Sequence, residues 1–317
     1  MSDYVLCLRN IDDSGSFGDQ PDQSRYLKVP DGQLWTPAAA LADPQVWAKA
    51  IINDANAATD DILIFIHGYN NTQDEVKTRH DLLKGNLRNL GFKGVVVSFD
   101  WPSGDSALAY MNDRSKANHV AQQLVLDGIM LLSQFQNPQC QINVHLLGHS
   151  TGAYLIREAF DRADDTLLPN SNWTISQIAL ISGDVSSGSM TANDSESKSL
   201  YFHCVRLTNY SNTYDEVLGI SNVKRLGVAP RVGRIGLPDD SPDKAINVDC
   251  SEYYNNLPND KKSLTSSHSW HFDDPVFSQD LYTTLCGVDR GSMPTRAQLQ
   301  PPKPHRFKLV PLPSSLL

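Results

Sequence analysis

Ser150 is flanked on both sides by glycine, in Gly148-His149-Ser150-Thr151-Gly152. That spacing suits a nucleophilic hydroxyl held on a sharp turn from a strand into a helix. The turn strains the serine backbone, and a Cβ at either glycine would press on neighbouring chain. A serine hydroxyl is a weak nucleophile, so it needs a base and a group that orients the base. In the order serine, acid, histidine, the acids are Asp184 and Asp215, and the histidines beyond them are His268, His271 and His305. Asp215 is the preferred acid, since it follows the later strand and a turn-rich stretch, Thr208 to Tyr214. It is also placed to cap a helix beginning at Glu216. His268 is the preferred base, in the loop Ser266 to Phe272, with His271 as its alternative. His305 lies in a proline-rich stretch and reads as solvated.

Acyl transfer also needs donors for the developing oxyanion. The N–H of Thr151, just after the serine, is one. The other comes from His67-Gly68-Tyr69-Asn70, at the end of the apolar run Ile62 to Ile66. There Gly68 permits close backbone approach and the N–H of Tyr69 faces the site. His67 reads as a structural hydrogen-bonder. His149 either lines the pocket or braces the turn.

Positioning these groups requires strands that end side by side. Apolar runs at Tyr4–Leu8, 61–66, 94–99, 141–147, 175–181, 200–207 and 245–248 read as strands. A turn-rich stretch follows the first through Gly18 and Pro21. Helical spacing covers 44–58, 73–90 (closed by Gly91), 114–134, the stretch after Ser150, and 275–285. Buried strands alternating with helices predict an α/β fold, with a mostly parallel sheet covered on both faces. Residues 1–290 form one domain in this reading and 291–317 a proline-rich tail. Residues 182–199 are too few for a large cap, and Ser186-Ser187-Gly188-Ser189 reads as a flexible loop. The segments 104–112 and 219–244 are left to shape the rim, and Tyr69, Trp101 and Tyr110 are candidates to line a pocket.

Of 317 residues, 40% are hydrophobic and 20% charged, and the net charge is −9. No basic cluster offsets that charge, which excludes a nucleic-acid partner. No run has the length of a membrane span, and the N-terminus lacks the features of a secretory signal, so a cytoplasmic location is expected. The five cysteines are scattered and read as buried thiols in a reducing compartment. No Cys/His cluster has zinc-ligand spacing, and neither metal nor cofactor is expected.

Phe65-Ile66-His67-Gly68-Tyr69-Asn70, Ser98-Phe99-Asp100-Trp101-Pro102-Ser103, Tyr110-Met111-Asn112-Asp113-Arg114, the Gly-His-Ser-Thr-Gly turn, Asp184-Val185, the Asp215 loop and Ser267-His268-Ser269-Trp270 follow in order over residues 60–275. Together they resemble the α/β-hydrolase superfamily, and within it a little-characterised, mostly bacterial branch. Members of that branch more often carry Ala-His-Ser-x-Gly, and a glycine before the base histidine where this chain has Ser267. The resemblance implies a serine hydrolase with Ser150 as nucleophile, Asp215 as orienting acid and His268 as base. Its partner would be a small-molecule acyl substrate, with short or surface-accessible esters expected at an open site. A catalytically silent scaffold, or an acyltransferase, amidase or thioesterase with the same triad, would share these residues.

Overall fold

The runs Ile62 to Ile66 and Val144 to Leu147 are buried throughout, so both faces of each strand are covered. The computed structural model describes residues 2–56, 61–103, 114–136, 142–166, 173–224, 230–299, 303 and 305–313. Its strands are β1 (Ser2–Ile11), β2 (Phe17–Pro30), β3 (Ala40–Leu41), β4 (Asp61–Ile66), β5 (Val95–Asp100), β6 (Asn143–His149), β7 (Ile175–Ile181), β8 (Cys204–Ser211), β9 (Ala245–Asp249), β10 (Arg296–Gln298) and β11 (Arg306–Leu309). They join one sheet in the order β10-β11-β9-β8-β7-β6-β4-β5-β1-β2-β3. From β11 to β1 every neighbouring pair is parallel. The outermost pairs, β10 with β11 at one edge and β1-β2-β3 at the other, are antiparallel. This is a mostly parallel α/β sheet with helices on both faces, and among the described residues there is no large cap.

The longer helices are α1 (Pro44–Asn56), α2 (Gln73–Asn89), α3 (Arg114–Gln123), α4 (Thr151–Thr166), α5 (Ser195–Phe202) and α6 (Glu216–Lys224). A four-residue α7 (Ser266–Ser269) and α8 (Pro275–Leu285) follow. Two apolar clusters lie on opposite faces of the sheet. One holds Trp47, Ile51, Val120, Leu155 and Phe160, and the other Leu83, Leu87, Phe277 and Leu281. α2 starts in a capping box between Thr72 and Glu75 and is followed by Gly91 at φ 101°. None of the described helices is long and apolar enough to cross a membrane.

Four readings of the sequence need correction. The stretch expected to be turn-rich through Pro21 is largely β2, whose outer half is exposed and so shows no apolar alternation. Pro21 pairs with Arg9 at a register shift, where proline costs no ladder bond. Leu200 to Phe202 end α5 rather than begin a strand, because Asp194 caps that helix, accepting from Glu196 N–H at 2.9 Å. Short apolar runs do not distinguish the two. Ser186 to Ser189 are not a loose loop: Ser187 Oγ donates to Gly236 O (2.9 Å) and Arg157 Nη1 to Ser189 Oγ (2.9 Å). Among the thiols, Cys7, Cys204 and Cys250 are buried, but Cys286 is exposed.

The described part of the proline-rich tail is extended chain that completes the sheet. Arg296 forks onto Asp280, with Nε 2.9 Å from Oδ2 and Nη2 2.6 Å from Oδ1. Thr295 and Tyr210 donate to the same carboxylate at 2.6 and 2.7 Å. A buried ion pair, invisible to hydropathy, fixes this edge.

Candidate functional site

In a parallel sheet, ligands bind beyond the carboxyl ends of strands where the strand order reverses. Here that point lies between β4, which leads to β5 on one side, and β6, which leads to β7 on the other. Ile66 pairs with Gly148 and His149 with Ile181, so the loops after β4, β6 and β7 emerge together.

Ser150 is the residue between β6 and α4, and its φ of 55° is left-handed backbone on a residue with a side chain. Three backbone bonds hold it there. Its N–H donates to Ile181 O, and its carbonyl accepts from Ala153 and Asp184 N–H, all at 3.0 Å. The two glycines are required by space. A Cβ on Gly152 would lie 2.2 Å from Ile66 O, and one on Gly148 would lie 2.9 Å from Ala153 Cα. Because α4 begins at Thr151, that N–H is one of the helix-start donors with no intrahelical partner, at the positive end of the helix dipole.

His268 and Asp215 are joined: Nδ1–H of His268 donates to Asp215 Oδ2 at 2.8 Å, which leaves Nε2 as the other ring position. Asp215 is fully buried, and its Oδ1 accepts from Leu218 N–H at 2.9 Å. It therefore caps α6 and holds the imidazole together. Asn212 Nδ2 donates to Ser267 O (3.2 Å), and Glu216 N–H to Ser267 Oγ (3.2 Å), tying the acid loop to the histidine loop. The carbonyl of His268 accepts from Ser182 Oγ (2.9 Å) and His149 Nε2 (3.0 Å). The His149 and His268 rings lie 4.9 Å apart. Burial, with the Arg79 charge nearby, holds His149 well below the usual imidazole range, so it is neutral. Its Nδ1 then faces Arg79 Nη1 at 3.4 Å. His149 braces the turn against the histidine loop.

The alternative candidates are engaged elsewhere. Asp184 Oδ1 pairs with Arg231 Nε at 2.9 Å. His305 Nε2 lies 2.9 Å from the exposed Asp243, at the far edge of the sheet. His271 is 1% exposed, stacked on Trp270 at 4.2 Å, and neither ring nitrogen has a hydrogen-bond partner among the described residues. Burial, then neighbouring His268, keeps it well below the usual imidazole range.

The loop after β4 presses on the serine: a Cβ on Gly68 would lie 2.7 Å from that of Ser150. Gly68 O accepts from Asn71 Nδ2 (2.7 Å) and His67 Nδ1–H (2.8 Å). In a trans peptide the next N–H points the opposite way, so that of Tyr69 is turned from Asn71 and His67. Asn70 N–H donates to Ser103 O at 2.5 Å. His67 accepts from Trp101 N–H at Nε2 (3.1 Å) and stacks on its indole at 5.4 Å. Burial outweighs the nearby Asp100 and lowers its pKa, consistent with a neutral ring. Trp101 is fully buried beneath this loop, its indole N–H donating to His67 O at 3.0 Å, while Tyr69 is half-buried. Tyr110 and the rim segment 104–112 lie outside the described residues.

The family described as "Alpha/beta hydrolase of unknown function (DUF900)" matches residues 45–257. The chain belongs to this family. Among solved structures, this α/β hydrolase is similar to dienelactone hydrolase from Anabaena variabilis, at 15% identity over 86% of this chain and 96% of that one, TM-score 0.37. It is also similar to phospholipase PlaB from Legionella pneumophila, at 12% identity over 75% of this chain and 65% of that one, TM-score 0.37. Neither substrate transfers at such distances. No curated protein sequence matches significantly.

Sequence reasoning missed Asn71, whose amide holds the carbonyl of Gly68, and Asn212 and Ser182, which bond the carbonyls of Ser267 and His268. The last two act on main-chain atoms far along the sequence, which leaves no local signal. Among the described residues, Asp3, His80 and Asp81 have ligand atoms within 4.8 Å of one another. Lys84 already pairs with Asp3, and His80 Nδ1 bonds Ser98 Oγ at 2.8 Å, so a cation would compete with an ammonium.

Proposed function

We propose that this α/β hydrolase is a serine esterase acting on short or surface-accessible carboxylic esters through an acyl-enzyme. The observation that carries this reading is the joined Asp215–His268 pair beside a left-handed Ser150. His268 Nε2 takes the hydroxyl proton as Ser150 Oγ attacks the ester carbonyl, and Asp215 holds the resulting imidazolium. The Tyr69 and Thr151 N–H groups stabilise the oxyanion, with each donor contributing about 2.7–4 kcal/mol to the barrier. The imidazolium then protonates the leaving alcohol. Water, deprotonated by His268, releases the acid and restores Ser150.

The short-ester preference rests on the compact segment between β7 and β8, where ordered turns and α5 leave no inserted cap. Exposed Tyr214 and Leu264 lie on the segments that carry Asp215 and His268, and suit an apolar substrate presented from solution. The test is turnover of a series of p-nitrophenyl esters. The reading requires short-chain turnover that disappears in Ser150→Ala. A preference for long acyl chains would overturn the substrate class, and turnover surviving Ser150→Ala would overturn the nucleophile.

A further inference from the structure

Arg9 is 1% exposed on β1, far in sequence from Ser150, Asp215 and His268. Its Nε donates to Asp100 Oδ1 at 2.8 Å, at the end of β5. Its Nη1 donates to Asp19 Oδ1 at 3.0 Å. Nη2 reaches Asn71 O at 3.1 Å and Trp101 O at 3.5 Å. Asn71 in turn uses its side-chain amide on Gly68 O (2.7 Å) and Tyr69 O (2.9 Å). Asp100 is fixed from its other oxygen by Gln73 Nε2 at 2.9 Å, on the first turn of α2. A continuous set of donors thus runs from a buried guanidinium to the carbonyls on either side of the Tyr69 peptide. Those carbonyls set the direction of the intervening N–H.

A buried ion pair is a poor source of net stability, since desolvation offsets most of its attraction. This one has a geometric use that an apolar pair would lack, because a planar fork can bind a carboxylate and two carbonyls at once. We propose that Arg9, seated on Asp100, is a positioning residue for the oxyanion loop. It holds Asn71 so that the Tyr69 N–H faces the substrate carbonyl oxygen. The proposal rests on the esterase reading for its catalytic consequence, but the loop geometry itself is testable without turnover.

The experiment compares Arg9→Lys and the double variant Arg9→Met/Asp100→Asn with the parent. Arg9→Lys keeps a cation for Asp100 without the fork, and the double variant removes both charges. A second buried pair, replaced as Arg296→Met/Asp280→Asn, is the control for general loss of stability. Hydrogen–deuterium exchange of the peptide covering 67–72 should be about tenfold faster in both Arg9 variants, with β4 and β6 as protected as in the parent. On a short ester, kcat should fall about 10- to 100-fold with KM little changed, because a displaced donor is lost only in the transition state. The control should lower the melting temperature and leave both the loop exchange and kcat unaltered. Parental exchange over 67–72 in either folded Arg9 variant would overturn the proposal. So would faster exchange with parental kcat, or a fall in kcat matched by the control. If the double variant does not fold, Arg9→Lys decides. A parent without esterase turnover would defeat the functional reading, while the exchange result would still decide the clamp.

Discussion

Gly68 and Ser150 approach so closely that a methyl group on Gly68 would sit 2.7 Å from the serine Cβ and 3.1 Å from His149 O. The loop carrying Tyr69 is therefore seated on the nucleophile itself. Gly68→Ala should displace that loop, lowering kcat/KM about a hundredfold, with the melting temperature little changed. Gly152→Ala is a harsher change, because its Cβ would meet the Ile66 carbonyl at 2.2 Å. That variant should lose melting temperature as well as activity. Steady-state kinetics beside thermal melts separate the two.

The two acids give opposite expectations. Asp215→Asn should keep the cap of α6 yet lower kcat by about 10⁴, since an amide cannot hold the imidazolium. Asp184→Asn should leave kcat near the parental value and lower the melting temperature, because it weakens the pair with Arg231. A reversed pattern would move the acid to the end of β7.

The two histidines separate in the same way. His268→Gln should remove turnover by about 10⁴–10⁶. His271 lies among Trp270 and Phe277, with no hydrogen-bond partner for either nitrogen among the described residues. His271→Leu should therefore keep turnover and hold or raise the melting temperature. Loss of turnover in His271→Leu, with His268→Gln active, would exchange their roles.

Acid should destabilise the fold through its buried carboxylates. Burial alone would raise the pKa of Asp100, but Arg9 beside it holds it at about 2. Asp3 is likewise held well below the usual carboxylate range, where His80 and Lys84 overcome burial. A depressed folded pKa contributes stability that is complete above the unfolded value of about 3.9 and is lost as pH falls through the folded one. For Asp100 this amounts to about 2 kcal/mol between pH 5 and pH 2. Urea unfolding at those two values should show a smaller loss in Arg9→Met/Asp100→Asn than in the parent. An equal loss would contradict the assignment.

The fold was legible wherever apolar period and glycine spacing agree. Strands at 61–66 and 175–181 and the helix at 275–285 appear where the sequence puts them, and the sheet runs mostly parallel. The sequence also brings forward Asp215 and His268, which a 2.8 Å hydrogen bond joins, with the His268 ring 4.9 Å from that of His149 next to Ser150. It raises the possibility that Asp215 caps a helix, and Leu218 N–H does donate to that carboxylate. What it hides are contacts made through the main chain. Ser182 and His149 reach the carbonyl of His268, and Arg9 reaches that of Asn71; no periodicity records such bonds. β2 and the strands near the C-terminus escape for a related reason. Their place is set by pairing and by the Asp280–Arg296 contact rather than by hydropathy.

Whether Ser150 is an activated nucleophile is tested most directly by a fluorophosphonate. The native protein should be labelled on Ser150, as located by mass spectrometry of the modified peptide. Labelling should vanish after heat denaturation and in Ser150→Ala. A folded protein that takes no label, or takes it on another residue, would contradict the account.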